Sequence, residues 1–286
     1  MILITAATGH LGNATVDFLL KKVPAGQIAG LVRDEAKAAG LSAKDITLRK
    51  GDYFDVPSLE KAFQGIDTLV FISSGDLQNR VQQHENVVNA AKVAGVKHII
   101  YTSVVKATPT LKFTVGIDHY HTEEMLKQSG IPYTILRHTF YTEVLPLFFG
   151  AALQTGQWYY AAGDAKANFA SRTDMAEAIA NVAANPALHA NKVYEITSGR
   201  SYSFHEVAGM VSQVTGKQIT YIPIPLEALK EGMKQAGVPE DHIPMYASIA
   251  ESISAGELDV TENSLEKLLQ RKPVDLKDYL PQLLNN

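Results

Sequence analysis

The sequence predicts an α/β fold built on a doubly wound parallel sheet, and three observations predict it. Short apolar, β-rich runs alternate with helical patterns through the first half of the chain. Those runs lack polar alternation, as strands covered on both faces do. A small-residue turn holding Gly9 and Gly12 follows the first run and opens the first helical pattern. Right-handed crossovers then place helices on both faces of the sheet, the Rossmann arrangement.

Taken in order, 2–5, 27–32, 46–49, 68–72, 97–102 and 133–136 read as strands. The segments 11–22, which stops before Pro24, 58–63, 79–94 and 118–127 read as helices between them. The second half loses the alternation. Asp174 with Glu177, and Ser203 with Glu206, carry capping-box spacing. Residues 193–196 and 218–222 read as short strands, and 225–235, 241–255 and 264–269 as helices. No repeat and no low-complexity linker interrupts the chain. The expected organisation is a cofactor-binding Rossmann domain at 1–150 and a smaller C-terminal α/β lobe at 151–286. That lobe is expected to form the substrate pocket and to be partly interleaved with the Rossmann body. Ligands of such sheets bind at the carboxyl ends of the strands.

Composition excludes several classes. The 286 residues are 46% hydrophobic and 20% charged, with no cysteine, which removes disulfides, thiolate metal sites and cysteine nucleophiles. A net charge of −4 supplies no basic field for nucleic acid or an anionic membrane. The opening Met-Ile-Leu-Ile-Thr has no basic n-region, so a cytoplasmic protein is expected. The apolar run 144–153 contains Pro146 and Gly150 and is too short to span a bilayer, which needs about 20 residues. It is expected as buried wall or pocket lining. His119-Tyr120-His121 with Glu123 does not read as a metal site, because residues two apart point to different helix faces.

Residues 5–12 read Thr5-Ala6-Ala7-Thr8-Gly9-His10-Leu11-Gly12 between the first strand and the first helix. A dinucleotide diphosphate needs free backbone N–H groups at a helix N-terminus and room to approach the chain. Ala6, Ala7, Thr8, Gly9, His10 and Leu11 are the candidate cradle. Gly9 lets the chain come close, and Gly12 lets the helix pack on the sheet. Ala6 stands where a first glycine is usual, and its methyl is expected to require a negative φ. The alternative is a plain strand-to-helix turn; the βαβ setting favours the nucleotide.

The strand at 28–32 runs into Arg33, not into the acidic residue usual about 20 residues past the glycines. A guanidinium grips a phosphate bidentately where a carboxylate would repel it. The predicted cofactor is therefore NADP(H), with Lys37 adding charge. The alternative leaves Arg33 facing solvent and makes Asp34 the functional acid. Asp52, after the third strand, is placed to accept a hydrogen bond from an adenine amino group, with Tyr53 against the ring. Otherwise Asp52 and Asp55 are turn or cap residues. Ser73 and Ser74 end the fourth strand and leave space for ribose and diphosphate.

These residues resemble the NmrA-like branch of the atypical short-chain dehydrogenases. The resemblance is carried by the Thr5–Gly12 turn, Leu31-Val32-Arg33, Gly51-Asp52-Tyr53, the run 83–91 and the segment 94–99. It continues through 173–177 and 191–195 and spans nearly the whole chain. It implies a quinone reductase-like enzyme, with triphenylmethane dye reductases as the next similarity.

Short-chain dehydrogenases generally use Tyr-x-x-x-Lys, in which the lysine lowers the tyrosine pKa. Tyr120 is followed four residues later by Glu124, and the resemblance places His119 and Glu123 at the pair's positions. Neither pairing puts a cation beside a phenol. Quinone reduction demands less, because the reduced oxygen is a stabilised phenolate and positioning supplies much of the catalysis. Ser103 falls at the usual serine region and is a candidate carbonyl partner. The segment 137–143 resembles the nicotinamide and substrate edge, which makes Arg137, Thr139 and Tyr141 candidates. Tyr141 and Phe140 suit stacking on a flat ring, or ordinary core filling. His119 is a candidate weak acid or a plain cap. His84 is read as a helix cap. Trp158-Tyr159-Tyr160 is expected to pack the lobe or border the pocket.

The expected activity is hydride transfer from NADPH to a quinone or similar conjugated aromatic acceptor. The alternatives are reduction of another acceptor, such as a dye, and a non-catalytic NADP(H) sensor. Dimers are common in related folds, so a homodimer is the assembly to expect.

Overall fold

The computed structural model describes residues 1–284, with Lys37 described in its backbone alone. Lys37's side chain thus lies outside the described residues. The first half builds β1 (Ile2–Ile4), α1 (His10–Leu19), β2 (Ile28–Val32), α2 (Ala39–Ser42), β3 (Thr47–Lys50), α3 (Val56–Phe63) and β4 (Thr68–Phe71). It continues through α4 (Arg80–Val93), β5 (His98–Val104), α5 (Thr114–Gln128) and β6 (Tyr133–His138). Then follow β7 (Phe140–Tyr141), α6 (Pro146–Phe149), α7 (Ala152–Thr155), β8 (Gln157–Tyr160), β9 (Lys166–Ala170), α8 (Arg172–Ala184) and β10 (Lys192–Ile196). The chain closes with β11 (Ser201–Ser203), α9 (Phe204–Thr215), β12 (Thr220–Pro223), α10 (Leu226–Gln235), α11 (Ile243–Ser254), α12 (Ser264–Leu269) and α13 (Leu276–Leu284).

The main sheet has seven parallel strands in the order β10-β6-β5-β4-β1-β2-β3. Every residue of β2 and β4 is buried, as strands covered on both faces require. One face carries α3, α4 and α5, packed with Leu3, Phe63, Phe71 and Tyr101. The other carries α1, α8 and α12. Residues 172–184 and 192–196 lie beyond residue 150 in sequence but complete this sheet and its cover. The rest of the second half joins β7 (Phe140–Tyr141) in two small sheets, β11-β9-β7 and β12-β8, around an aromatic core of Trp158, Tyr160, Phe204 and Tyr221.

The strand order reverses between β1 and β4, and the crevice opens there. Thr5 splices the two strand ends: its amide donates to Val70 O (3.0 Å), and its Oγ1 accepts from the Ile72 amide (2.9 Å).

Two local readings change. Ala6 has φ +48, not a negative value. The turn must reverse within one residue so that the Gly9 amide can donate to Ala6 O (2.9 Å), and that constraint overrides the alanine preference. The α8 cap is Ser171, whose side chain accepts from the Asp174 amide. Asp174 itself is buried and accepts from the Val274 amide and Arg271, both at 2.7 Å, which fastens the C-terminal segment to α8. The Ser203–Glu206 capping box forms as spaced. No helix among the described residues is long and apolar enough to cross a membrane.

The first turn of α1 runs against the Ala6–Ala7 backbone. A Cβ on Gly12 would stand 2.3 Å from Ala6 O and 2.9 Å from Ala7 Cα. Neither is the tip of a flexible side chain, so the helix itself must move. Gly12→Ala is expected to cost about 1–3 kcal/mol, read as a lower urea midpoint, and to weaken NADPH binding at the displaced helix end. An unchanged midpoint would contradict the close approach.

Candidate active site

The β1–α1 turn delivers an open helix end into the crevice. Gly9 is the N-cap of α1, with extended backbone (φ −76, ψ 164), no side-chain cap and no acidic residue in the first turn. The first amides of α1 are thus left as donors for an anion, with the positive end of the helix dipole behind them. Ala6, Thr8 and Gly9 line a groove of about 490 Å³. Ala7 and Leu11 turn their side chains into the core beneath it, so they offer backbone only, and His10 is exposed at the helix start.

The opposite wall comes from the ends of β2, β3 and β4. Arg33 lines the groove and is exposed, and its guanidinium has no partner among the described residues. Asp34 accepts from the Ala36 amide (3.0 Å) as the cap of the turn that follows, which is a structural task. Asp52 accepts from the Phe54 amide (2.9 Å). This turn swings Tyr53 inward, where its hydroxyl donates to Ile72 O (3.0 Å) and its ring meets Phe71 edge-on. The sequence pointed to Tyr53 against the adenine. Tyr53 lines the groove, half-buried, and Phe54 beside it adds an aromatic that is 56% accessible. Ser73 and Ser74 stand where expected, with the Ser73 amide on Thr102 Oγ1 (3.0 Å).

Ser73 also lines a second cavity of about 580 Å³, so groove and cavity meet there. This cavity is largely apolar. Phe140, Phe148 and Tyr160 form one side, and Met233, Val238 and Tyr246 of the α10–α11 hairpin close the other. The run 144–153 contributes Val144, Leu147 and Phe148 to the wall. Tyr160 borders the cavity, while Trp158 is fully buried in the lobe core.

The three candidate catalytic residues, Ser103, His119 and Tyr141, all line this cavity. Tyr141 lies under Arg172 (4.9 Å from ring centroid to guanidinium carbon), and burial pushes its hydroxyl up to about 12, so it is a neutral donor. His119 is buried, and burial holds its pKa well below the usual value, aided by Arg80 nearby; the ring is neutral. It is therefore not a proton donor of ordinary histidine acidity. Ser103 departs from its expected role. Its hydroxyl donates to Glu123 Oε1 (2.6 Å), so it presents lone pairs to the cavity and has no proton left for a carbonyl.

Arg137 is a clear correction. It makes a two-pronged contact with Glu123 (2.7 and 2.8 Å) and a further bond to Glu195 (2.9 Å), and it does not line the cavity. Glu123 is fully buried and requires this cation. Thr139 lines the cavity, but its hydroxyl donates to Asn168 O of β9 (2.8 Å), which ties the end of β6 to the lobe, and its amide donates to Ile196 O of β10 (3.1 Å). Neither residue stands on the groove that holds the turn.

His84 is not a cap. It is fully buried inside α4, with Nε2 accepting from the Ser74 amide (2.9 Å) and Nδ1 beside Thr122 Oγ1 (2.8 Å). Sequence reading gave no role to His138, which lines the cavity together with Tyr160; His138 Nε2 and the Tyr160 hydroxyl lack partners among the described residues. His119 and His121 lie on different faces, buried and exposed, and no metal-ligating cluster occurs among the described residues.

The geometry defines a class, a dinucleotide-binding Rossmann protein with an aromatic-walled cavity at the end of the cofactor groove. The NmrA-like family model matches residues 1–280, and the chain belongs to that family. It is 39% identical to quinone oxidoreductase 2 of Escherichia coli over 285 residues, covering 100% of this chain and 99% of that one. The crystal structure of an Escherichia coli NADPH-dependent quinone oxidoreductase complexed with NADPH superposes with a TM-score of 0.95 at 39% identity over 100% of both chains. The triphenylmethane reductase of Citrobacter sp., complexed with NADP(H), gives a TM-score of 0.92 at 37% identity over 99% of this chain and 100% of that one. An NAD(P)H azoreductase of Xenophilus azovorans is 30% identical over 264 residues, 91% of each chain.

Two outcomes test this site. Arg33→Ala is expected to raise the Kd for NADPH by about 10- to 100-fold, the loss of about 1.5–3 kcal/mol for a charge-assisted bond, and to leave NADH nearly unchanged. Equal effects on both cofactors in calorimetric titration would remove the phosphate contact. The second concerns acid. Burial lowers His84 and His138 to about 3 and His98 to about 4, so these rings stay neutral in the folded chain. The unfolded chain takes up their protons below about 6.5. Their contribution is complete above that pH and is lost as pH falls toward their folded values, by up to about 1.4 kcal/mol per pH unit for each ring. Urea midpoints should fall between about pH 6.5 and 5, above the ordinary carboxylate range. A flat profile there would contradict the burial.

Proposed function

We propose that this protein is an NADPH-dependent oxidoreductase that reduces a quinone or similar conjugated aromatic acceptor. The observation that carries the reading is the junction at Ser73, where a groove with an uncapped helix N-terminus and an unpaired guanidinium opens into an aromatic-walled cavity. The residues fit the cofactor. A Cβ at Gly12 would fill the close approach of α1, and Arg33 answers a 2′-phosphate. The names and bound cofactors of the relatives support the same reading.

Bound NADPH would supply the hydride. The chain's own residues position the acceptor, exclude water and stabilise charge. Phe140, Phe148 and Tyr160 give flat apolar faces for a ring. Tyr141 offers a neutral hydroxyl. By the family resemblance, Glu123 stands at the position of the phenol-activating lysine; it is paired with Arg137, so no cation is offered to a phenol from there. An acceptor whose reduced oxygen is a stabilised phenolate suits such a site, because it asks for hydrogen-bond donors and orientation and not for a strong acid. We place the protein in the cytoplasm, with a homodimer as the assembly to test.

The experiment is NADPH oxidation followed with a panel of benzo- and naphthoquinones. Consumption is expected to depend on added quinone and to be lost in Gly9→Val, whose side chain would crowd Ala6 O, 3.2 Å from a Cβ there. Tight NADPH binding with no turnover on any quinone would overturn the reading.

A further inference from the structure

A chain of buried hydrogen bonds runs from the cofactor groove to the cavity, and its polarity can be read. It starts at Ser74, whose amide donates to His84 Nε2 at 2.9 Å. That nitrogen is therefore an acceptor and carries no proton. His84 is fully buried beside Arg80, and this ring is neutral. A neutral ring with a bare Nε2 must carry its hydrogen on Nδ1. Nδ1–H faces Thr122 Oγ1 at 2.8 Å and the Tyr101 hydroxyl oxygen at 3.5 Å. Thr122 is free to accept, because its own proton goes to Asp118 O at 2.9 Å.

Tyr101 is fully buried, and burial raises its pKa, so the hydroxyl stays protonated. Its oxygen meets a donor on the His84 side. Its proton is left with one strong acceptor, His119 Nδ1 at 2.7 Å. The neutral His119 ring must then carry its hydrogen on Nε2. That nitrogen lies across the ring from Tyr101 and makes no hydrogen bond among the described residues, and the ring lines the cavity.

Resting on the quinone-reductase reading, we propose that Ser74, His84 and Tyr101 act as positioning residues that fix His119 as a neutral Nε2–H donor aimed at the acceptor's oxygen. The two electrons and one proton of the hydride come from NADPH. The charge appearing on the acceptor oxygen is held by the Nε2–H hydrogen bond, and the second proton that completes the hydroquinone comes from water. His119 keeps its proton throughout. A neutral donor suits this task in a low-dielectric cavity, where a charged imidazolium would be costly to bury. Because Ser74 also lines the dinucleotide groove, the donor's orientation is tied to the loop that borders the cofactor.

The test combines a spectroscopic and a kinetic readout on the full chain at neutral pH. Long-range ¹⁵N–¹H correlation of the histidine rings reads tautomers directly, with no cofactor or acceptor needed. His84 should show Nδ1–H and His119 Nε2–H. Tyr101→Phe keeps the ring and removes the proton given to His119. It should populate the other His119 tautomer and lower kcat on quinones about tenfold, with the Kd for NADPH unchanged. His119→Phe should lower kcat by about 10²–10³, as the loss of one oxyanion donor does. His119→Gln, whose amide can donate, should recover part of that loss. Finding Nδ1–H on His119 in the unaltered protein would overturn the proposal. So would a folded Tyr101→Phe protein with full kcat. Failure of every quinone as acceptor would overturn the functional reading instead, while the tautomers would still decide the relay.

Discussion

The approach of α1 to the Ala6–Ala7 backbone is the constraint on which the rest depends. It demands glycine at position 12, where any side-chain carbon would stand within 3 Å of three backbone atoms. It places the start of α1 at the reversal of strand order between β1 and β4. It also explains Ala6, which holds a left-handed conformation at a cost of order 1 kcal/mol, because the turn closes through Gly9 N to Ala6 O. The product is a helix end with free amides, aimed into a crevice that Arg33 closes with positive charge.

From that anchor the chemistry follows by placement. On the proposed reading, a dinucleotide held at the helix end and at Arg33 would run along the groove toward Ser73, and beyond Ser73 lies the aromatic cavity. The body and lobe each supply one wall, with the α10–α11 hairpin facing the ends of β5 and β6. The polar groups there are of two kinds. Arg137 pairs with Glu123 and Glu195, Ser103 donates to Glu123, and together they hold the framework. Tyr141 and His119 remain uncharged and turned to the cavity. This division separates structural charge from reactive surface and leaves an environment suited to a flat apolar acceptor.

Much of this was legible in the sequence. The strand-like runs located all six Rossmann strands of the first half; β2 and β4, buried on both faces, need an unbroken apolar run, whereas the edge strand β3 carries Arg49 and Lys50 and is only half-buried. The glycine turn, Arg33 and Ser73 follow from strand ends, since strand order alone dictates where ligands bind. The misreadings have specific causes. Arg137 follows the sixth strand's core, but its partner Glu123 is set by how α5 packs against β6, which no local pattern gives. Phe54 was overlooked because an Asp52 side-chain turn, which no strand or helix period signals, sets its ring on the groove wall beside Tyr53. Ala6 was misread because closure of a turn outweighed a residue's own preference. The buried relay left a signal that went unused. Arg80, Gln83 and His84 share the spacing of Val87, Val88 and Ala91 on α4, and His119, Thr122 and Glu123 share that of Gly116 and Leu126 on α5. Polar residues in phase with a buried stripe on two adjacent helices mark a polar interior.

The measurement that bears most directly on this account is a crystal structure of the protein soaked with NADP. The account predicts the diphosphate within hydrogen-bond distance of the amides at the start of α1, the 2′-phosphate against Arg33, and the nicotinamide ring past Ser73 at the mouth of the aromatic cavity. A dinucleotide bound elsewhere, or with its nicotinamide turned away from that cavity, would contradict it.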